Sequence, residues 1–357
     1  MNQPTPAIVA QSAVRRLPRW ALLLLCLAYV IPGFVMRGPW RSNDMEAFGF
    51  MRELALGHTS WLAPKLSGLS PSMDGLLPYW LGALSLQGFG WLIGPEMATR
   101  LPFIALLVLT LGATWWGAYY LARTPGAQPV AFAFGGEAQL IDYSRAMADA
   151  ALLALVATLG LAQPSHETTS YVTQLGCTAL VFFAVAAMAY HPNKSAVALL
   201  IGLLGLALSG APTMAILFGL GGSLIAFTQH SWGDNPGRAH RQARIWAAAW
   251  LAATVLAAML TTALDQWVWH LVDSVSDLSG LLQLLLWFCW PAWPLALWTL
   301  WVWRRQIASP RKNSHLSIAL LFAAVPVAAC LSSTPADRAL LLGLPAIATL
   351  AAFALPT

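Results

Sequence analysis

Six charged residues fall within RGPWRSNDMEAFGFMRE, residues 37–53: Arg37, Arg41, Asp44, Glu46, Arg52 and Glu53. Elsewhere the chain is sparing with charge, which makes up 9% of its 357 residues. Asp44 and Glu46 stand two positions apart, Asp74 adds a third carboxylate, and His58 and Lys65 lie between them. A second polar stretch, QPSHETTSY at 163–171, sets His166 beside Glu167. An imidazole nitrogen next to a carboxylate oxygen is a donor pair for a divalent metal of the N/O kind, and Asp44 or Asp74 would complete the set. The plain alternative is a short polar turn with Glu167 near a helix start.

These groups are embedded in a membrane protein. The chain is 58% apolar, with a mean hydropathy of +0.65. Soluble domains carry about 25% charged residues. A span needs roughly 20 mainly apolar residues, and runs at about 19–36, 101–121, 148–163, 172–190, 195–210, 212–228, 245–264, 280–303, 315–331 and 338–355 qualify. The runs are continuous rather than alternating, which argues against a β-barrel. The expected fold is an all-α, polytopic transmembrane helical bundle of about ten spans. The stretch 79–95 reads as an interfacial helix, because Tyr79, Trp80 and Trp91 suit the headgroup level. The interrupted stretch 126–141 reads as cytoplasmic surface. The first run lacks an A-x-A cleavage site and leads into more membrane protein, so it reads as a span. Cys26, Cys177, Cys289 and Cys330 all lie in apolar runs and read as small buried hydrophobes.

The net charge of +5 is not a nucleic-acid signal, because the basic residues sit between apolar runs. With residues 1–18 cytoplasmic, most Lys and Arg fall on the inside, including the Arg238, Arg241, Arg244 cluster, as the positive-inside rule requires. Making both 79–95 and 126–141 cross as well would restore the same parity. Most carboxylates fall outside, and residues 37–100 form an outer loop too long to be a simple connector. Ionisable groups gathered at a membrane face mark a functional site.

A structural account of the window stands beside that one. Asn43 would cap a helix starting at Asp44, with Glu46 as the capping-box partner. Ala47, Phe50, Met51 and Leu54 follow at i, i+3, i+4 and i+7, the stripe of an amphipathic helix on the membrane surface.

The order of motifs resembles the GT-C superfamily of membrane glycosyltransferases. It is similar to the branch of the lipid A 4-amino-4-deoxy-L-arabinose transferases and the protein O-mannosyltransferases. The elements are Asp44-Met45-Glu46; Gly57 with Trp61, Pro64 and Gly68; Asp74-Gly75 with Tyr79-Trp80; and Arg100-Leu101-Pro102. They cover about 37–122 within a GT-C-like domain over 19–357.

The resemblance implies transfer of a sugar from a polyprenyl-phosphate donor to a lipid A, protein or glycan acceptor on the periplasmic face of a bacterial inner membrane. Membrane lipids would be further partners, and nucleic acid would not. It makes Asp44 the expected catalytic carboxylate, acting as base on the acceptor or orienting it. Glu46, beside it in the same motif, is a further catalytic candidate. Asp74 would help to bind a divalent metal (Mg, Mn or Zn) or the acceptor, with its register one residue off. A phosphate leaving group needs positive charge. Lys65 and Arg41 flank the acidic motifs and are the first choices, with Arg37, Arg52, Arg100 and Arg338 as further outward cations, and Tyr79 and Trp80 would line the substrate site. Snorkelling to the interface is the plain reading of each cation.

Four features depart from the family or stay open. Relatives often place an Arg and, four residues on, an Asp at an outer mouth, which Arg145 and Asp149 match, although this topology puts them inside. Where relatives carry Lys-Gly-Pro, this chain has Ser209-Gly210-Ala211-Pro212. The loop 265–279, with Trp267, Trp269, His270, Asp273 and Asp277, reads as a site cover or as an interfacial tryptophan belt. Relatives usually continue beyond a span like the last one here, so the chain reads either as a fragment with a missing C-terminal continuation or as a shortened member. The competing classes are a lipid-linked sugar transporter or flippase and an inactive envelope protein. No internal repeat of the transporter kind is visible.

Overall fold

The structure, a computed structural model, describes residues 5–14, 16–35, 37–39, 42–72, 75–228, 236–267, 278–307, 313–332 and 336–356. Arg41, Asp74 and most of the 265–279 loop lie outside the described residues.

The described chain is helical, without strands. Its first half contains α1 (Arg19–Phe34), α2 (Ser42–Ala55), α3 (Leu77–Ile93), α4 (Pro95–Ala122), α5 (Leu140–Ala157), α6 (Leu159–Ala162), α7 (Ser170–Ala187) and α8 (Pro192–Leu208). The second half contains α9 (Pro212–Thr228), α10 (Pro236–Ala263), α11 (Leu278–Phe288), α12 (Ala292–Val302), α13 (Arg304–Ile307), α14 (Ser314–Ser332), α15 (Ala336–Leu341) and α16 (Leu344–Ala352). Every expected span position carries a helix, but the spans are not ten straight rods. By length and composition four helices can cross a membrane, α4, α7, most of α10 and α14, and up to six spans result if two bent pairs each count as one. The bent pairs are α5–α6, at 70°, and α11–α12, at 92°. Helices α1, α8 and α9 are apolar but shorter.

The two bends meet each other. The N–H of Leu159, at the first break, donates to the carbonyl of Trp290, at the second, at 2.9 Å. Backbone freed from helix inside a membrane needs such a partner. Helix contact elsewhere rests on small residues, as expected where lipid supplies no hydrophobic drive between helices. A Cβ at Gly202 of α8 would stand 2.5 Å from Val181 of α7, and one at Gly222 of α9 would stand 2.4 Å from Trp250 of α10.

Helix α2 begins at Ser42 rather than Asp44. Its stripe is buried as its spacing predicts, with Ala47, Phe50, Met51 and Leu54 all at 2% exposure or less. That stripe packs on α3, where Phe50 meets Tyr79 at a ring separation of 5.4 Å. Glu46 is not part of a capping box. Both its oxygens are held by Ser72, at 2.7 Å from the backbone N–H and 2.6 Å from the hydroxyl. The 126–141 stretch is largely irregular. It pairs with the N-terminal segment: Gln11 N–H donates to Gly136 O and Ala138 N–H to Val9 O, both at 2.9 Å.

Candidate active site

Asp44 is 1% exposed, although it belongs to the first turn of a short surface helix. The burial is explained by donors. Its Oδ1 accepts the Thr168 backbone N–H at 2.8 Å and the Thr168 hydroxyl at 2.7 Å. Its Oδ2 faces Arg37 Nη1 at 3.3 Å. A buried carboxylate is tolerable only when paired and hydrogen-bonded in this way. Two carboxylate oxygens offer about four lone-pair directions. Among the described residues Thr168 takes two and Arg37 takes one, which leaves Oδ2 a direction for a further donor.

Arg37 ties four segments together. Its Nε donates to Gly33 O at the end of α1, at 2.5 Å. Its Nη1 meets Asp44, and its Nη2 donates to the carbonyl of His166. Its own carbonyl accepts Arg100 Nη1, which also donates to Phe34 O at 3.1 Å. Arg100 is 3% exposed, and its Nη2 has no partner among the described residues. A buried guanidinium N–H without an acceptor is a rare and costly arrangement.

The second polar stretch reaches Asp44 because of the 70° bend. Helix α5 stops at Ala157, α6 turns away, and residues 163–169 are laid across the end of α1. Gly33 permits the approach, since a Cβ there would stand 1.9 Å from the His166 ring. His166 packs on Tyr29 and Phe34 at 5.2 Å each. Its Nδ1 lies 2.8 Å from Ala162 O and its Nε2 lies 3.0 Å from Tyr29 O. Both nitrogens meet carbonyl oxygens, so neither presents a lone pair to a metal ion in this arrangement. Glu167 Oε1 accepts Gln163 Nε2 at 3.2 Å. Among the described residues no three His, Cys, Asp or Glu side chains converge as a metal set.

The other expected residues divide by position. Lys65 is exposed, and its backbone N–H is held by Thr59 Oγ1 at 2.7 Å. Tyr79 is buried under α2, and Trp80 Nε1 donates to Trp61 O at 2.7 Å. Arg338 lies over the Tyr171 ring at 4.0 Å, three residues from Thr168. Asp149 is buried too, but it accepts Trp115 Nε1 at 2.8 Å and the Leu17 N–H at 3.4 Å. Trp115 stands fifteen residues beyond Arg100 on α4, about 22 Å along the helix. Arg145 and Asp149 therefore belong to the opposite end of the bundle from Asp44.

Next to Asp74, the Gly75 backbone presses on the Ser209–Gly210 turn, where relatives of the resembled family often carry lysine. Leu76 N–H donates to Leu208 O at 2.8 Å. Gly75 has φ +98°, and a Cβ there would stand 2.3 Å from the Ser209 carbonyl carbon. Gly57 has φ +74° with open space around it. Gly57→Ala should therefore cost only the left-handed strain, about 1–2 kcal/mol. Gly75→Ala should lower the thermal unfolding midpoint distinctly further. Equal midpoints in the two purified variants would refute this packing.

No family model and no curated protein sequence matches the chain. Solved structures do. ArnT from Cupriavidus metallidurans bound to undecaprenyl phosphate aligns with a TM-score of 0.63 at 18% identity, over 94% of this chain and 59% of that one. The chain has the ArnT fold. The apo state of ArnT aligns over the same shares, at TM-score 0.59 and 19% identity. This chain thus spans about three fifths of the length of ArnT. Within the ArnT fold seen here, Asp44, Arg37, Arg100 and Thr168 gather where α1 ends and α4 begins.

Thr168 and Gly33 were invisible as site residues in the sequence. The available hint was that the polar stretch 163–171 contains two adjacent threonines beside His166 and Glu167. Arg37 stood among the outward cations but behind Lys65 and Arg41, because nearness to the acidic motifs in sequence was the only guide.

Proposed function

We propose that the protein is an integral-membrane glycosyltransferase that moves a sugar from a polyprenyl-phosphate donor to an acceptor hydroxyl or amine on the periplasmic face. The observation that carries this reading is Asp44, a carboxylate buried by three donors with two arginines next to it at one end of the bundle. The ArnT fold supports the class, and the undecaprenyl phosphate held by that structure supports the donor carrier.

Asp44 would take the proton of the acceptor through the remaining direction on Oδ2. The acceptor oxygen or nitrogen bonds to the anomeric carbon while the bond from that carbon to the phosphate oxygen breaks. The released polyprenyl phosphate gains negative charge, which Arg37 and the Arg100 Nη2, unpartnered among the described residues, would offset. Thr168 would be a positioning residue that fixes the carboxylate.

Thr168→Val removes the hydroxyl donor and keeps the backbone one. It should lower kcat about tenfold, the scale set by one hydrogen bond to a charged group, with KM for the donor little changed. Thr168→Ser should restore the rate. A valine variant with wild-type kcat would remove the positioning role.

The test of the class uses membranes containing the full chain and a radiolabelled polyprenyl-phosphate sugar. Release of polyprenyl phosphate with label on an acceptor is expected. Movement of label across the bilayer without cleavage would make the protein a lipid-linked sugar transporter, and no turnover would make it an inactive relative.

A further inference from the structure

At the far end of α4, Arg123 borders a cavity of about 230 Å³ between α4, α7 and α14. Arg123 stands 23 residues beyond Arg100, about 34 Å along the helix, close to the hydrocarbon thickness of a bilayer. The cavity is therefore separate from the Asp44 cluster. Its lining is part polar, with Arg123, Thr124, Tyr190 and Ser314, and part apolar, with Val185 and Ile318 among its residues.

Arg123 is held but not neutralised. Its guanidinium lies 5.1 Å from the Tyr190 ring centroid and 5.6 Å from that of Tyr119. Its Nε is buried with no partner among the described residues. No carboxylate pairs with it among the described residues. The two buried carboxylates at this end are already engaged: Asp142 by Arg16 and Gln11, Asp149 by Trp115 and Leu17. Aromatic faces orient a guanidinium and leave its N–H edge for an anion. That edge matches phosphate oxygens in geometry and charge. The apolar part of the lining and the depth of one bilayer thickness favour a phosphate carried by a lipid.

We infer that this cavity binds the headgroup phosphate of an anionic membrane lipid, with Arg123 donating hydrogen bonds to the phosphate oxygens and the apolar residues of α7 and α14 against the first carbons of the lipid. The site is independent of the transfer reading and would persist in an inactive protein.

Native mass spectrometry of the purified full chain tests this, with phosphatidylglycerol and phosphatidylcholine as probes. One phosphatidylglycerol should be retained in preference to phosphatidylcholine. Arg123→Gln should weaken that retention about tenfold, the scale of one charge-assisted contact. Ala189→Trp, at an exposed lining position, should fill the cavity and weaken retention while keeping the arginine. This second variant decides the matter if Arg123→Gln fails to fold. Lys194→Gln, exposed and outside the cavity, should leave retention unchanged. No preference between the two lipids in the wild type, or full retention in a folded Ala189→Trp variant, would overturn the site. Thermal stabilisation by inorganic phosphate alone, lost in Arg123→Gln and not reproduced by phosphatidylglycerol, would overturn the lipid source and leave a soluble phosphate.

Discussion

Asp44→Asn should abolish sugar transfer while leaving membrane insertion and helical content intact. The loss expected on removing a positioned base is about a hundredfold to ten-thousandfold in kcat. The fold should survive because the amide oxygen can still accept both bonds from Thr168. The amide NH2 would then face Arg37, a donor against a donor. Arg37 is 22% exposed on its side chain and can turn towards water, so the mismatch is partly relieved. Asp44→Glu keeps the charge and displaces it by one methylene, and should also be slow, since base catalysis depends on hydrogen-bond reach. Glu46→Gln is the informative neighbour. Both Glu46 oxygens are committed to Ser72, away from the Asp44 cluster. Its loss should cost less than about tenfold, the scale of a single charged hydrogen bond. The readout is single-turnover release of polyprenyl phosphate at saturating donor. An active Asp44→Asn enzyme would remove the core of the proposal, and an inactive Glu46→Gln with a normal Asp44 would move the base by half a helical turn.

The helical positions were legible because they depend on composition within short windows. Runs of about twenty apolar residues identify themselves, and the stripe Ala47, Phe50, Met51, Leu54 follows from the 3.6-residue period alone. The bends were not legible. Residues 148–163 read as one continuous run, since Leu155, Ala157 and Leu159 suit either side of a break. What breaks the helix is tertiary: Leu159 finds its hydrogen-bond partner at Trp290, far along the chain. Asp44 could be chosen from its motif, but its partners could not. Thr168 lies 124 residues away and reaches the carboxylate only after the α5–α6 bend has turned the chain. His166 looked like a ligand by residue type. Its surroundings, two carbonyl oxygens and two aromatic rings, make it a strut between α1 and the 163–169 turn. Lys65 and Arg37 are equally basic in sequence, and only the packing separates the exposed one from the one that faces Asp44.

The second large effect is expected at Arg37. Arg37→Ala removes the cation that, among the described residues, forms an ion pair with a carboxylate that is 1% exposed. Breaking a buried pair from one side costs about 3–5 kcal/mol, because the remaining charge stays desolvated. The same change frees the carbonyls of Gly33 and His166, which adds to the loss. Arg37→Ala should therefore destabilise the protein more than Asp44→Asn does. The double variant Arg37→Ala with Asp44→Asn should recover part of that stability, since an amide tolerates burial better than a lone carboxylate. Pulse proteolysis of the four proteins gives the coupling, and additive effects would mean that the Arg37–Asp44 contact carries no energy. Arg37→Lys separates structure from catalysis. It keeps a charge near Asp44 but cannot reach Asp44, Gly33 and His166 at once. If Arg37 leaves Asp44 for the donor phosphate as the acceptor arrives, the lysine variant should fold, bind donor and turn over slowly. A lysine variant with normal kcat would confine Arg37 to holding the fold, and Arg100, whose Nη2 has no partner among the described residues, would remain as the cation for the leaving phosphate.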